Sequence, residues 1–340
     1  MSADPRSSKP TGVPPTMRAA VADRFGPPEV VRIAEVPTPR PAAGELLVRI
    51  HASTVSIADQ RLRSRRVPRG LSLVVAPTIG LVRPRTRVLG MDAAGTVVAI
   101  GDGVEASALG DEVILMRGTP MGCHADYVTI PADGEVARKP RNLSFEEAAA
   151  IVFGGHTALR FLDGVGLAPG AEVLVNGASG AVGTAAVQLA AARGARVTAV
   201  TSGRNADLVR ALGAAEVVDY TREDFTASPA GAYDVIVDGV GGTSFERLAS
   251  LLRPGGALLL VVADLPAMLA AGRRSRRTGL VVDFRGGSMG ADGMARLAAL
   301  AEAGELRPVV DRVVDLDDIV DAHRYVDTGR KRGSVVVRVA

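Results

Sequence analysis

The 340-residue sequence contains a single cysteine, Cys123, no tryptophan, and only 3% aromatic residues. One cysteine excludes an intramolecular disulfide. The scarcity of aromatic side chains leaves few platforms on which the bases of single-stranded nucleic acid can stack, so a nucleic-acid partner is not expected. No run of about 18 apolar residues occurs, and no membrane-spanning helix is therefore predicted.

Residues 1–16 lack the apolar core of a secretory signal and are rich in proline, serine and basic residues. This composition predicts a disordered leader over 1–16 and a cytoplasmic protein. The remaining chain is long enough for two domains, since 47% of the sequence is hydrophobic. The net charge of +3 is mildly basic.

A glycine-rich turn between a predicted strand and an alanine-rich helix is the most informative stretch. An apolar run at 173–175 is followed by glycines with the spacing G-x-x-G-x-x-G. Such a turn brings helix N–H groups to the pyrophosphate of a dinucleotide; the alternative is a tight strand–helix turn with no ligand. The predicted cofactor-binding residues of this turn are Gly177, Ala178, Ser179, Gly180, Ala181, Val182 and Gly183.

Strand and helix signals divide the chain into a β-rich part and an alternating part. Residues 17–140 show short β runs at 17–22, 46–52, 95–99, 112–115 and 125–130, and no long helix is predicted before Ser144. Ser144 and Glu147 form a capping-box pattern that starts a helix. Strands at 172–175, 196–201, 216–218, 234–237 and 257–262 then alternate with helices at 181–193, 205–212 and 243–252, which predicts a parallel sheet covered on both faces. An edge strand at 280–284, a helix at 291–303 and a β-rich tail are expected to follow.

The residues after strand 196–201 bear on the choice of cofactor. NAD sites usually carry an acidic residue about 20 positions past the glycines, for the ribose hydroxyl. Here Ser202 and Arg204 follow the strand and no carboxylate does. Hydroxyl and guanidinium donors suit a 2′-phosphate, which predicts NADPH. Alternatively, Arg204 is a solvated arginine at a helix start.

Several other stretches carry a family resemblance. They are 90–97 (GMDAAGTV), 109–113 (LGDEV), 125–128 (ADYV), 211–214 (ALGA), 238–242 (DGVGG) and 253–256 (RPGG). With the glycine turn, they resemble the medium-chain dehydrogenase/reductase superfamily, and in particular its zinc-independent quinone oxidoreductase and enone reductase branch. The resemblance implies an α/β fold in which a doubly wound Rossmann sheet, at 142–290, is inserted into a β-rich GroES-like catalytic domain, at 17–141 and 291–340. It also implies a homodimer, formed through the edge strand at 280–284.

The sequence departs from the zinc-dependent members of that family at their ligand positions. The stretch 52–59 lacks their early cysteine, and Met91 and Asp92 stand where they have histidine and glutamate. Cys123 and His124 are the only adjacent cysteine–histidine pair, and two ligands do not close a zinc site. We therefore expect no metal.

By the same resemblance, Ser56, Asp59 and His156 are the candidate catalytic residues. Ser56 corresponds to an asparagine beside the nicotinamide in many relatives, and His156 is a candidate proton donor. The alternatives are a structural turn or salt bridge for Asp59 and a packed or solvated helix-start histidine for His156. Thr157 is expected to bind the cofactor.

The resemblance extends the cofactor site to two further regions. The turn after the fourth Rossmann strand contributes Asp238, Gly239, Val240 and Gly241, and faces the ribose–nicotinamide end. Tyr220 is expected near the adenine ribose. In the tail, Lys331 lies in a basic segment, 329–334, whose charges either help to bind the phosphates or are plain surface charge.

An arginine-rich segment at 61–87 surrounds an apolar centre at 71–82, and a second basic run lies at 273–277. Three interpretations remain open: a lid over a hydrophobic substrate pocket, a solvated basic loop, or a surface for nucleic acid or an anionic membrane.

Together these features predict an NADPH-dependent, zinc-independent oxidoreductase that transfers hydride to a quinone or an α,β-unsaturated carbonyl. The expected substrate is small and hydrophobic. The alternatives are a dedicated reductase of one biosynthetic intermediate and a non-catalytic NADPH-binding protein with a regulatory or RNA-binding role.

Overall fold

The computed structural model describes residues 12–105 and 108–340. Most of the predicted leader, residues 1–11, lies outside this part, and the first strand begins at Thr16, one residue before the expected start. The strands are β1 Thr16–Ala22, β2 Val31–Pro37, β3 Glu45–Val55, β4 Asp92–Ile100, β5 Glu112–Met116, β6 Tyr127–Pro131, β7 Val136–Arg138, β8 Glu172–Asn176, β9 Arg196–Thr201, β10 Glu216–Asp219, β11 Tyr233–Asp238, β12 Leu252–Leu260, β13 Val281–Asp283, β14 Val310–Asp315 and β15 Ser334–Arg338. The helices are α1 Ile57–Ser64, α2 Ala76–Ile79, α3 Phe145–Asp163, α4 Ala181–Ala192, α5 Ala206–Ala211, α6 Phe245–Leu251, α7 Leu265–Thr278, α8 Gly290–Glu302 and α9 Ile319–Asp327.

The second half of the chain forms a six-stranded sheet whose strand pairs are all parallel, in the order β10-β9-β8-β11-β12-β13. Counted from β8, this order is 3-2-1-4-5-6, that of the Rossmann fold. Apolar side chains on both faces of β8 and β11 are buried, as expected for central strands covered by helices. The strand order reverses between β8 and β11, so the crevice at their carboxyl ends is where a ligand is expected.

The first part of the chain and the tail share a second, seven-stranded sheet. Its order is β14-β15-β3-β4-β5-β7, and β6 pairs with β3 beside this path. The tail strand β15 pairs antiparallel with β3, where Val335 lies opposite Val55. The tail therefore returns to the β-rich part, as predicted, while the exact domain boundaries stay a prediction.

Helix α3 connects the two sheets. It packs against β3 and β4 of the seven-stranded sheet and against α4 of the Rossmann part. One continuous apolar core contains Val48 from β3, Leu159 from α3 and Val175 from β8. The site at the carboxyl ends of the Rossmann strands is thus backed by a helix that is fixed to both sheets.

Four helices, α1, α2, α7 and α9, were not predicted. Helix α1 lies in the part expected to lack a long helix, and α7 occupies the basic run at 273–277. Both have ordinary end signals: Ser56 caps α1, Asp264 caps α7, and Gly279 ends α7 with a φ of 72°. The strand expected at 257–262 is also longer at its start, since β12 begins at Leu252.

Candidate functional site

The glycine turn joins the end of β8 to α4. Gly177 has a φ of 82°, a conformation that favours glycine. The N–H groups of Gly177 and Ala178 both donate to the carbonyl of Val200 in β9 at 3.1 Å. A Cβ at Gly183 would lie 2.1 Å from the Gly177 carbonyl oxygen, so only glycine allows α4 to approach the turn this closely. Gly177 therefore allows the sharp turn after β8, and Gly183 allows α4 to pack closely against that turn.

Gly180 is different because the space beside it is open. It is the N-cap of α4, and no side chain caps this helix. A Cβ at Gly180 would meet only the Gly177 carbonyl oxygen, at 3.5 Å. The helix end therefore presents its first N–H groups and its positive dipole end to free space, an arrangement that suits a phosphate group.

A hydrogen-bonded cluster links the turn to the end of β9. The Ser179 hydroxyl lies 2.9 Å from Thr201 Oγ1 and 3.0 Å from Asn205 Nδ2. Asn205 also donates to the Ser202 hydroxyl at 3.2 Å. Asn205 was not among the predicted site residues, although its side chain fixes both predicted serines. It is buried and follows Arg204 directly, and only the fold shows that it points back to the turn.

Three side chains lie at the exposed edge of this cluster. Arg204 and Tyr220 were predicted site residues, and Arg330 was not. Arg204 is exposed, and its guanidinium reaches the carbonyl of Arg330 at 3.5 Å. Tyr220 is exposed too, and its N–H donates to the Thr201 carbonyl at 3.2 Å. Arg204, Arg330 and Tyr220 thus form a basic rim with an aromatic ring, and Arg330 comes from the tail segment.

Although no carboxylate follows the second Rossmann strand in the sequence, one from a neighbouring strand lies near its end. Asp219, at the end of the neighbouring β10, is paired in register with Thr201. A Cβ at Gly203 would lie 2.4 Å from Asp219 Oδ2. Hydrogen bonds from the Thr221 hydroxyl and N–H, and from the Gly203 N–H, lower the pKa of Asp219 and occupy its carboxylate. Strand adjacency, which the linear sequence does not display, brings it there.

The turn after β11 is shaped by Asp238. Its Oδ1 accepts hydrogen bonds from Asn176 Nδ2 at 2.9 Å, from the Val240 N–H at 3.2 Å and from the Gly241 N–H at 3.1 Å. The Asp238 carboxylate is buried and engaged, so its visible role is to hold the 239–241 turn beside the end of β8. Val240 is exposed and lies beside Gly177. A Cβ placed on Gly177 would lie 2.8 Å from the Val240 side chain.

The tail segment 329–334 also reaches the glycine turn. The Gly333 N–H donates to the Ser179 carbonyl at 2.8 Å. Lys331 Nζ donates to the Gly333 carbonyl at 2.6 Å. Burial lowers the pKa of the Lys331 amine to about 8, against the opposing charges of Asp311 and Asp92. The tail therefore brings a lysine and Arg330 to the same side of the site.

The first two catalytic candidates, Ser56 and Asp59, form a capping box at the start of α1. The Ser56 hydroxyl accepts from the Asp59 N–H at 3.2 Å and donates to Asp59 Oδ2 at 2.6 Å. Asp59 Oδ2 also accepts from the Ser56 N–H at 2.8 Å. Both residues are buried. The structural alternative for Asp59 is what the geometry shows, although its Oδ1 is buried without a partner.

His156 lies on the side of α3 that faces away from α4, and its role as proton donor stays a prediction. Gly154 on α3 faces α4, because its Cβ would lie 2.3 Å from the Ala181 carbonyl oxygen. Two residues further along a helix the side chain points about 200° away. His156 Nε2 accordingly lies 2.6 Å from Glu135 Oε1, which also accepts from the Met289 N–H at 2.5 Å. This pair joins α3 to the segments before β7 and α8.

Thr157 remains near the α4 side of α3, since it follows Gly154 by three residues. Its hydroxyl donates to the Phe153 carbonyl at 2.8 Å, within the same helix. That bond uses the hydroxyl proton and neither lone pair, so the hydroxyl can still accept a hydrogen bond.

Asp92 is a buried carboxyl group that the sequence analysis did not select as a site residue. Its oxygens accept from the Thr54 hydroxyl at 2.8 Å and from the Phe153 N–H at 3.1 Å. Burial and the charge of Asp59 raise the pKa of Asp92 to about 8, despite those hydrogen bonds. The group therefore holds a proton at neutral pH. Its position next to the family's metal-ligand position was the only signal in the sequence.

Comparison with known proteins was decisive for the family. Two family models match: the alcohol dehydrogenase GroES-like domain over residues 42–141 and the zinc-binding dehydrogenase over residues 212–337. The chain is 30% identical to the mitochondrial NAD(P)H oxidoreductase RTN4IP1 of Mus musculus, over 95% of this chain and 89% of the relative. It is also 30% identical to 2-methylene-furan-3-one reductase of Solanum lycopersicum, over 96% of this chain and 80% of the relative. The chain belongs to the medium-chain dehydrogenase/reductase superfamily.

Structural similarity agrees with this membership. The quinone oxidoreductase from Coxiella burnetii superposes with a TM-score of 0.82 at 29% identity, over 96% of this chain and 100% of that chain. The chain lies in the zinc-independent quinone oxidoreductase branch of the superfamily, as the sequence motifs predicted. It is thus an oxidoreductase of the NAD(P)H type with a Rossmann sheet and a GroES-like domain.

In zinc-dependent members of the superfamily a metal lies near the segments occupied here by Ser56, Met91 and Asp92. Within residues 12–105 and 108–340, no group of three or more histidine, cysteine, aspartate or glutamate side chains is arranged to hold a metal ion. Cys123 is buried, and burial raises the pKa of its thiol well above the usual value.

The helices of the described residues were also examined for length and apolar character. None of them is both long and apolar enough to cross a membrane.

Proposed function

We propose that the chain is an NADPH-dependent, zinc-independent oxidoreductase that reduces quinones or α,β-unsaturated carbonyls. The observation that carries the cofactor part is the open, uncapped start of α4 at Gly180, beside the rim of Arg204, Arg330 and Tyr220. Gly180 and its neighbours would hold the pyrophosphate, and the rim would hold the 2′-phosphate. Bound NADPH would supply the hydride.

The choice of NADPH over NADH rests on the partners of Asp219. A carboxylate that binds ribose hydroxyls needs free oxygen lone pairs that face the ribose. Asp219 already accepts hydrogen bonds from Thr221 and Gly203. Arg204, by contrast, is exposed and has only a long contact to a backbone carbonyl. A guanidinium in this position favours a phosphate over a hydroxyl.

The absence of zinc is supported by the chemistry of the ligand positions. Met91 stands where zinc-dependent members have histidine, and a thioether is a poor zinc ligand. Without a Lewis acid to polarise a simple carbonyl, an acceptor that is already electrophilic is favoured. The printed activities of the relatives, a quinone oxidoreductase and a furanone reductase, fit such acceptors.

Proton supply does not depend on His156 in this proposal. The negative charge that develops on the acceptor oxygen requires hydrogen-bond donors and then a proton. Lys331, whose amine has a lowered pKa, is the donor that lies on the side of the glycine turn. A homodimer through β13 remains part of the proposal, since β13 is an edge strand that pairs only with β12.

The cofactor proposal is tested by titrating NADPH and NADH into the wild type, Arg204→Ala and Asp219→Asn. We expect the wild type to prefer NADPH at least tenfold. Because one charge-assisted hydrogen bond contributes about 1.5–3 kcal/mol, Arg204→Ala should weaken NADPH binding by roughly tenfold or more and leave NADH binding unchanged. Equal wild-type affinities, or a loss of NADH binding in Asp219→Asn, would instead assign Asp219 as the ribose ligand.

The substrate proposal is tested by NADPH oxidation with a panel of quinones, enones and saturated aldehydes, with and without a chelator. Turnover of quinones or enones that survives chelation is expected. Activity restricted to saturated aldehydes, or activity lost on chelation and restored by Zn²⁺, would contradict the proposal.

A further inference from the structure

The stretch between Asp59 and Asp92 has an unusual charge pattern. Residues 60–91 contain no acidic residue. They contain eight arginines: Arg61, Arg63, Arg65, Arg66, Arg69, Arg83, Arg85 and Arg87. The charges of two of these arginines are balanced by acidic residues of the same chain, because Arg63 pairs with Asp327 and Arg87 pairs with Asp23. Arg66, Arg69, Arg83 and Arg85 are exposed and form no ion pair among the described residues.

Large aliphatic side chains of the same stretch point into solvent. Leu73 is 76% exposed, Val74 57%, Leu81 54% and Val82 79%. They flank the short helix α2, whose segment is anchored by the buried side chains of Leu71 and Ile79. Four exposed aliphatic side chains in one short segment are typical of a surface that meets a partner.

Helix α7 extends this surface. The Leu265 N–H donates to the Arg69 carbonyl at 2.9 Å, and a Cβ at Gly70 would lie 2.8 Å from the Leu265 side chain. Leu269 lies one turn later on the same helix face and is 77% exposed. Arg273 and Arg276 continue that face and are exposed, as is Arg277. We refer to Leu73, Val74, Leu81, Val82 and Leu269 with Arg66, Arg69, Arg83, Arg85, Arg273, Arg276 and Arg277 as the basic apolar surface.

The kinds of side chain in the basic apolar surface distinguish a nucleic-acid partner from an anionic lipid bilayer. Single-stranded nucleic acid is bound through aromatic platforms between basic residues, and the exposed groups here are aliphatic. A bilayer with anionic headgroups accepts aliphatic side chains at the acyl boundary and attracts arginines at its phosphates. Exposed leucines and valines ringed by arginines are complementary in both polarity and charge to that interface.

We propose that the basic apolar surface binds anionic lipid bilayers peripherally, with its aliphatic side chains among the headgroups and its arginines against lipid phosphates. This inference does not rest on the proposed reaction, because its test measures lipid binding and the substituted residues lie outside the glycine turn and the tail segment. Arg69 also lines a pocket with Val240 and Gly241 of the turn after β11, and it is not substituted.

The test is sedimentation of the full chain with vesicles of phosphatidylcholine alone or with 30% phosphatidylglycerol, at physiological salt. The charge variant is the triple Arg66→Gln, Arg83→Gln and Arg85→Gln. Since each arginine near an anionic surface contributes about 1 kcal/mol, the triple should lower the partition coefficient roughly 100-fold. The matched control removes three exposed arginines from elsewhere, Arg40→Gln, Arg49→Gln and Arg141→Gln, and should change it less than about threefold.

A second variant separates insertion from charge attraction. Leu73→Ser with Val82→Ser keeps the charge and should lower binding at least tenfold, because two exposed aliphatic groups are lost. All substituted residues are exposed, and thermal melts of each variant verify folding. The proposal is overturned if the wild type does not sediment with anionic vesicles, if the triple and its control behave alike, or if the serine variant binds as the wild type does. Tighter binding to single-stranded RNA than to vesicles at the same salt would also overturn it.

Discussion

Substitution of Gly180 by alanine separates a ligand role from a packing role in the glycine turn. The Cβ of alanine at this position would meet only the Gly177 carbonyl oxygen at 3.5 Å, an ordinary contact, and φ is −79°. The variant should therefore fold normally. At Gly183 the same methyl group would lie 2.1 Å from that oxygen and 2.7 Å from the Ala178 Cα, so the backbone must shift.

The magnitudes follow from these contacts. Alanine is a worse N-cap than glycine, at a cost of about 0.5–1 kcal/mol, and the loss of glycine entropy in the unfolded chain offsets a similar amount. Gly180→Ala should thus shift the Tm by no more than about 3 °C, whereas Gly183→Ala should lose about 1–3 kcal/mol or more. A methyl group in the space intended for the pyrophosphate should weaken NADPH binding at least tenfold, or about 1.4 kcal/mol.

The assay pairs calorimetric titration of NADPH with thermal melts of the wild type, Gly180→Ala and Gly183→Ala. The expected pattern is a folded Gly180→Ala with weak cofactor binding, and a Gly183→Ala that is destabilised. Wild-type NADPH affinity in Gly180→Ala would refute the assignment of the open space above α4. A Tm loss in Gly180→Ala as large as in Gly183→Ala would refute the steric reasoning itself.

Three further predictions concern buried ionisable groups. His156→Gln should keep turnover within about twofold because the imidazole faces Glu135 rather than the cleft; a loss of tenfold or more with an unchanged Tm would restore His156 as the acid. In urea melts, Asp327→Asn should lower the unfolding free energy by about 3 kcal/mol, since it leaves the buried Arg63 guanidinium unpaired, and Arg63→Met should cost less; equal losses would contradict this. The folded pKa of Asp92 is about 8, above the unfolded value near 3.9, so the folded state binds more protons between these values and the stability falls as pH rises through that window. Asp92→Asn should reduce the slope by roughly 1 kcal/mol per pH unit between pH 5 and 7, and an unchanged slope would show that Asp92 is not the group.

The Rossmann half was predictable because its signals are local. Strands β8 and β9 are continuous apolar runs between turn residues, and a sequence window contains everything that defines them. The observed bounds, Glu172–Asn176 and Arg196–Thr201, differ from the predicted ones by at most one residue. The glycine turn between β8 and α4 was predictable for the same reason.

Helix α1 shows that residues chosen by family resemblance can also have a structural role. Ser56 and Asp59 have the spacing of a capping box, which by itself predicts a helix start. Family resemblance directed both residues to catalysis, and the structure shows their side chains satisfying each other and the first turn of α1. The helix signal was therefore present in the sequence, but the arginines that follow obscured its apolar periodicity.

The features of the site that the sequence did not show come from relations between elements. Asp219 reaches the end of β9 only because β10 is its neighbour in the sheet. The orientation of His156 depends on which face of α3 contacts α4, and that contact involves the backbone of Ala181. A single sequence without a structural template does not show which strands are neighbours in a sheet or which face of a helix contacts its partner.

Helix α1 connects the candidate site to the basic apolar surface. Asp59 and Arg63 are four residues apart, so both lie on its inner face, and both are buried. Asp59 fixes the start of α1 through Ser56, and Arg63 fixes its end through Asp327 of α9. The segment with the exposed leucines and valines begins directly after this doubly anchored helix. The basic apolar surface therefore lies on a segment whose start is fixed to the fold through Asp59 and through Arg63 with Asp327.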